Sequence, residues 1–168
     1  MLIILLFVFG ITTRLLPHLP NFTPIMAIAL FSGAYLNKKY SLWIPLLLYI
    51  VSDLIIGLHP LVFFTWGSII LISLLGRALR KQRGLGTNLV YSLFSAILFF
   101  MISNFGVWLE GWYGYSLSGL VQCYVMAIPF LRISLLANSI YIILLTGVYG
   151  FVSAKIESER IRVALLTD

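Results

Sequence analysis

Apolar residues run along this chain in stretches of bilayer length, and short polar turns that hold most of the charges separate them. A helix needs about 20 predominantly apolar residues to cross the hydrocarbon core of a membrane. Prolines mark some ends of these stretches, because they disfavour the continuation of a helix. Short basic turns mark others, because charged residues interrupt the apolar run. The pattern therefore predicts six transmembrane helices, at about 2–16, 23–36, 42–58, 61–79, 87–109 and 133–153.

One further apolar segment, 119–130, is only about 12 residues long and is too short to cross a membrane. Pro129 and Arg132 separate it from the last span, so we predict a short re-entrant or interfacial helix there. The fold class expected is an all-α integral membrane protein, with residues 1–168 forming a single transmembrane domain.

The composition supports a membrane location. Hydrophobic residues make up 61% of the chain and charged residues 10%, against about 45–50% and about 25% in soluble domains. The chain holds 11 Lys and Arg against 5 Asp and Glu. Because these basic residues flank apolar spans, they indicate membrane topology rather than a nucleic-acid partner.

The basic residues also predict an orientation. With a cytoplasmic N-terminus, nine of the eleven fall in inner turns or the inner tail: Lys38, Lys39, Arg77, Arg80, Lys81, Arg83, Lys155, Arg160 and Arg162. Cytoplasmic loops carry an excess of Lys and Arg. We therefore expect a multi-pass protein with both termini in the cytoplasm.

In this orientation the polar residues of the spans gather near the outer face. Asp53, for example, lies about five residues, or roughly 8 Å, from the outer end of its span. Polar groups in hydrocarbon are costly and mark candidate functional sites. The inner halves of the same spans are almost wholly apolar, which argues against a continuous pore. The candidate substrate-binding residues are Arg14, His18, Asn21, Asp53, His59, Asn104, Trp108, Tyr113, Arg132 and Asn138.

Structural interpretations of these residues stay open. Asp53 either pairs with an arginine to lock helices together or contacts a ligand, and Asn104 and Asn138 are typical interhelical hydrogen-bond partners. His18, His59 and Cys123 are weak candidates for metal ligands. The aromatic, glycine-rich segment 108–115 suits a lid over a flat ligand or an interfacial belt. The pattern predicts no metal site and no cofactor.

Four segments carry a resemblance to a known family. They are Arg14 to Tyr35 (RLLPHLPNFTPIMAIALFSGAY), Ser52-Asp53-Leu54, Asn104 to Tyr115 (NFGVWLEGWYGY) and Cys123 to Pro129. In these segments the chain resembles DUF6580, a family of small bacterial membrane proteins of uncharacterised function. That family is similar to the substrate-binding S components of energy-coupling-factor (ECF) vitamin transporters. The resemblance implies a bacterial inner-membrane protein with a ligand site near the outer face.

The resemblance also implies a possible partner, a transmembrane coupling subunit with its ATPases. S components often present alanines on the first helix for this docking, whereas residues 2–10 here are bulky. The nearest row of small residues, Ala27, Ala29, Gly33 and Ala34, lies on the second helix. The chain has no Gly-rich Lys-Ser/Thr loop that would bind ATP.

The function expected is a substrate-binding membrane subunit that takes up a small vitamin-like nutrient and is not an enzyme. Arg14 and Arg132 would offer charge to an anionic group. One alternative is a structural or assembly protein. A second is a membrane-embedded enzyme with Cys123 or His59 as nucleophile or base.

Overall fold

In a computed structural model, the backbone is described for residues 2–167 and the side chains for residues 2–158. This part of the chain is all-helical and contains no strand. Its helices are α1 (Leu2–Leu15), α2 (Ile25–Tyr35), α3 (Trp43–Ile56), α4 (Val62–Ala78), α5 (Leu85–Leu109) and α6 (Leu117–Thr167), and a 3₁₀ turn, Leu79–Lys81, follows α4. The ends of α1 to α5 lie within two residues of the predicted ends.

The prediction of a separate short helix at 119–130 is wrong. Helix α6 is continuous from Leu117 to Thr167 and includes Pro129. A proline removes one helical hydrogen bond, at a cost of about 3 kcal/mol. In apolar surroundings, ending the helix would leave several more backbone groups without hydrogen bonds. A continuous helix therefore has the lower free energy. Pro129 lies on an exposed face of the helix.

Helix α2 forms the centre of the bundle. Every residue from Ile25 to Ala34 is buried, as expected for a helix that is apolar on all sides. Gly33 meets Gly76 of α4 so closely that a Cβ on Gly33 would lie 2.8 Å from the Gly76 Cα. The small residues of α2 therefore pack inside the protein, and their row is not an accessible docking surface.

The outer surface of the bundle is strongly apolar. Phe63 is 81% exposed and Leu54 is 62% exposed, and many other large apolar side chains are similarly uncovered. Soluble proteins rarely expose apolar patches of this extent. Within the described residues, three helical segments are long and apolar enough to cross a membrane: Val62–Lys81, Leu85–Leu109 and Leu117–Ser158. Helices α1, α2 and α3 are apolar but shorter.

The turns after α2 and α4 meet at one end of the bundle, which we call the basic end. Arg80 donates through Nε to the Gly33 carbonyl at 2.9 Å and through Nη2 to the Leu36 carbonyl at 2.5 Å. Arg77 donates to the Lys38 carbonyl at 2.6 Å and to Ser41 Oγ at 2.8 Å. Arg80 thus satisfies carbonyls that the end of α2 leaves without helical partners, and Arg77 holds the turn that follows α2.

The expectation of an almost wholly apolar half near the basic end is also wrong. Asn88, Ser92 and Ser95 of α5 are fully buried there. Asn88 Nδ2 donates to the Tyr35 hydroxyl at 2.8 Å and to Thr146 Oγ1 at 3.0 Å. The hydroxyls of Ser92 and Ser95 donate to carbonyls of their own helix, those of Leu89 and Tyr91. Serines and a single asparagine between apolar residues therefore give only a weak sequence signal.

Candidate functional site

An ion pair joins α1 to α3 at the opposite end of the bundle, where α1, α3 and α5 end and α2, α4 and α6 begin. We call this the Arg14 end. Arg14 Nη2 donates to Asp53 Oδ1 at 2.5 Å, and the side chains of Arg14 and Asp53 are 13% and 1% exposed. The second carboxylate oxygen of Asp53 accepts a hydrogen bond from Trp66 Nε1 at 2.6 Å. Both oxygens of Asp53 are therefore engaged within the protein.

Residues of α3 hold the Arg14 guanidinium on two further sides. Arg14 Nη1 donates to Ser52 Oγ at 2.6 Å and to the Tyr49 carbonyl at 3.4 Å. The Tyr49 ring covers one face of the guanidinium, with 4.1 Å between Cζ and the ring centroid. Because a guanidinium is planar and rigid, these contacts fix its orientation as well as its position.

Two cavities adjoin Arg14. The first, of about 240 Å³, is lined by Arg14, His18, Asn21, Thr23, Ile25, Met26, Tyr49, Ile56, Phe99 and Ser134. The second, of about 320 Å³, is lined by Arg14, Asn21, Tyr49, His59, Leu61, Thr65, Phe99, Phe100, Ser103, Asn104, Val107, Ala127, Phe130, Leu131 and Ser134. They share Arg14, Asn21, Tyr49, Phe99 and Ser134. Ligand sites are typically concave and contain a few fixed polar groups, and these walls combine such groups with apolar and aromatic side chains.

Five of the predicted site residues line these cavities: Arg14, His18, Asn21, His59 and Asn104. Asn21 has a positive φ of 63°, and the Phe22 amide donates to the Leu19 carbonyl at 2.9 Å. Proline followed by an asparagine of positive φ is typical of a type II turn. The Pro20-Asn21 sequence thus places the asparagine at the mouth of both cavities.

The two histidines lie in the turns at the Arg14 end that follow α1 and α3. The His18 ring donates through Nδ1 to the Leu16 carbonyl at 2.8 Å, which leaves Nε2 free to accept a hydrogen bond. His59 follows Gly57, which ends α3 with a φ of 120°. Each histidine lines a different cavity.

The other five predicted residues do not line either cavity. Asp53 lies behind Arg14 and positions it. Asn138 is 0% exposed and donates through Nδ2 to the Ser92 carbonyl of α5 at 2.5 Å. Arg132 is exposed on α6. The structure therefore brings only one of the two predicted arginines to the cavities.

Trp108 lies in the last turn of α5, and Tyr113 belongs to the loop that follows it. Gly111 and Gly114 have φ of 78° and 73°, a conformation that glycine adopts without strain. The Tyr115 ring meets the Trp108 ring edge-on, with 6.4 Å between centroids. A Cβ on Gly119 would overlap the Tyr113 carbonyl. These contacts place the loop beside the start of α6.

The weak metal candidates are not assembled into one site. Among the described residues, no three His, Cys, Asp or Glu side chains come close enough to hold a metal ion. Cys123 is 1% exposed and donates through Sγ to the Asn104 carbonyl at 3.3 Å. Its thiol thus packs between α6 and α5.

Sequence reasoning missed several residues of the site, chiefly Tyr49, Trp66, Phe99 and Ser134. Two signals were available. Tyr49 and Asp53 are four residues apart and share a helix face. Trp66 lies inside an apolar span rather than at its end, where interfacial tryptophans are usual. Phe99 and Ser134 resemble their apolar and small neighbours and gave no signal.

Comparison with known proteins places the chain in a family without giving it a function. No curated protein and no solved structure matches the sequence. One family model does match, described as a family of unknown function (DUF6580), and the match covers residues 1–160. The chain therefore belongs to the DUF6580 family.

Proposed function

We propose that this protein is a membrane-embedded subunit that binds a small nutrient for uptake. The observation that carries the proposal is the pair of adjoining cavities around Arg14, whose walls combine a fixed guanidinium, amide and hydroxyl groups and aromatic rings. A polar site of this kind within an apolar bundle is costly to maintain, which favours a functional role.

The proposed orientation places the Arg14 end at the outer face of a bacterial inner membrane. The turns at the opposite end hold Lys38, Lys39, Arg77, Arg80, Lys81 and Arg83. The positive-inside rule assigns such an end to the cytoplasm. All six helices would then cross the membrane, and both termini would be cytoplasmic. The short helices α1, α2 and α3 would cross where other parts of the protein and polar turns cover their ends.

We further propose a distant relationship to ECF S components. Six apolar helices with polar cavities at the Arg14 end support it, since the proposed orientation makes this the outer end. The buried small-residue row of α2 and the bulky face of α1 argue against docking to a coupling subunit through either surface. A coupling subunit with ATPases, if one is used, would have to contact another face.

A structural role is the second candidate, and specific contacts favour it. Arg14 and Trp66 tie α1 and α4 to Asp53 of α3, and Asn138 ties α6 to α5. These contacts would lock a bundle together whether or not a ligand binds. An enzymatic role receives less support, because Cys123 is buried and outside both cavities.

The test is mass spectrometry, with an absorbance spectrum, of the small molecules that co-purify with the detergent-solubilised protein. We expect a stoichiometric compound in the wild type. Asn104→Leu should reduce its occupancy about tenfold, because the variant removes a polar group from the cavity wall. The matched control is Gln122→Leu, which makes a similar change on an exposed face at the same end of the bundle.

The two candidate functions give different results. A folded wild type with no bound compound would contradict tight binding and favour the structural role. In that case Asn104→Leu would alter stability alone, as measured by thermal unfolding in the same detergent.

A further inference from the structure

The charge distribution around the cavities restricts the kind of ligand they accept, on the premise of the proposed function that a ligand binds there. Arg14 is the one Lys or Arg that lines them, and no carboxylate does so among the described residues. Asp53 is 1% exposed and has both oxygens engaged. A cationic ligand would therefore find no counter-charge, and burying an unpaired charge is strongly unfavourable.

Arg14 retains unused hydrogen-bond donors. A guanidinium has five N–H groups. Two on Nη1 reach Ser52 and the Tyr49 carbonyl, and one on Nη2 reaches Asp53. The Nε–H and the second Nη2 N–H have no acceptor within residues 2–158. Arginine commonly binds carboxylates through its N–H donors, often through two at a time.

Aromatic rings and limited volume restrict the ligand further. Tyr49 and Phe99 line both cavities, and Phe100 lines the second. The cavities measure about 240 and 320 Å³, which lies at the small end of ligand sites. Aromatic faces pack favourably against flat rings. The walls thus suit one small ring rather than a long or branched molecule.

We infer that the ligand is a small, planar aromatic monocarboxylate whose carboxylate accepts hydrogen bonds from the free donors of Arg14. A single carboxylate is specified because Arg132, the other arginine near this depth, is exposed elsewhere on α6. The ring of the ligand lies among Tyr49, Phe99 and Phe100.

The test compares two probes of the same size and shape. Benzoate is anionic at neutral pH, and benzamide is its neutral counterpart. Isothermal titration calorimetry of the detergent-solubilised protein, freed of co-purified compounds, should give a dissociation constant for benzoate at least about tenfold below that for benzamide, because charge-assisted hydrogen bonds are the stronger ones. Equal affinities, or no heat of binding with benzoate, would overturn the inference.

A variant locates the interaction at Arg14. Arg14→Lys keeps a positive charge beside Asp53 but removes the planar fork, and it should weaken benzoate binding about tenfold or more. The control Lys81→Gln removes a positive charge at the exposed basic end and should bind benzoate as the wild type does. Unchanged binding in a folded Arg14→Lys variant would also overturn the inference.

The proposed function and this inference can fail separately. A neutral or cationic compound found by mass spectrometry would leave the uptake proposal standing and exclude the monocarboxylate. If Arg14→Lys does not fold, the comparison of benzoate with benzamide on the wild type still decides the question.

Discussion

Asp53→Ala is expected to lower the free energy of unfolding by about 3–5 kcal/mol, the usual cost of removing one partner from a buried ion pair. The substitution leaves the Arg14 guanidinium without its counter-charge and the Trp66 indole N–H without its acceptor. Thermal or denaturant unfolding in a mild detergent, followed by circular dichroism, measures the loss.

A double substitution controls for the change in side-chain volume. Arg14→Met with Asp53→Leu replaces both charges by apolar groups, and such replacements of buried pairs are often neutral or stabilising. We expect this variant to lose less stability than Asp53→Ala, because only the Trp66 indole N–H is then left without its acceptor. A change below about 1 kcal/mol for Asp53→Ala would contradict a buried pair and would indicate an interaction of surface strength.

Gly33→Ala is expected to destabilise the protein by about 3 kcal/mol or more, through overpacking at the crossing of α2 and α4. The added Cβ would meet backbone atoms of Ser73 and Gly76 rather than flexible side chains. The helices would have to separate, and α2 is the central helix of the bundle. The same unfolding measurement applies, together with the yield of folded protein.

Gly67→Ala on α4 is the matched control, because a Cβ there meets nothing within 4 Å. Alanine is favoured over glycine within a helix by about 0.5–1 kcal/mol. The control should therefore be neutral or slightly stabilising. Equal destabilisation by the two substitutions would contradict the close crossing at Gly33.

The helices were largely predictable because their ends carry strong local signals. Prolines at 17, 20, 24 and 60 and the basic turns at 38–39 and 80–83 separate the apolar stretches, and α1 to α5 begin and end close to them. Pro129 misled the prediction. The cost of one proline inside a helix depends on what the backbone would bond to otherwise, and sequence alone does not show that.

The depth of Arg14, Asp53 and Asn104 was predictable, but the depth predicted for Asn138 was wrong, because it donates to the Ser92 carbonyl in the half of the bundle near the basic end. The direction in which each side chain points was not predictable. Counting residues along each span located Arg14, Asp53 and Asn104 at one end of the bundle. The rotation of each helix about its own axis depends on how it packs against its neighbours, and a count of residues along the span does not give that rotation. On α6, Ala127, Leu131 and Ser134 share the cavity face, whereas Arg132 lies on an exposed face.

Aromatic residues were the hardest to assign. Phe99 and Phe100 line the second cavity, yet nothing separates them in the sequence from other phenylalanines on exposed faces, such as Phe63 and Phe94. Trp108 and Tyr113 stood out because they form a dense aromatic segment, but they pack near the start of α6 instead of lining the cavities. Trp112 and Tyr115 of the same segment are 67% and 73% exposed, so the local density of aromatic residues did not indicate a cavity wall here.

The central claim is tested most directly by a crystal structure of the protein, purified from the cells that produce it and crystallised in a lipidic phase. The proposed function predicts non-protein density bounded by Arg14, Tyr49 and Phe99, with the shape of one small molecule and a hydrogen bond to the Arg14 guanidinium. Cavities that hold only water, or that close so that the Phe99 ring covers Arg14, would contradict a binding role for this end of the bundle.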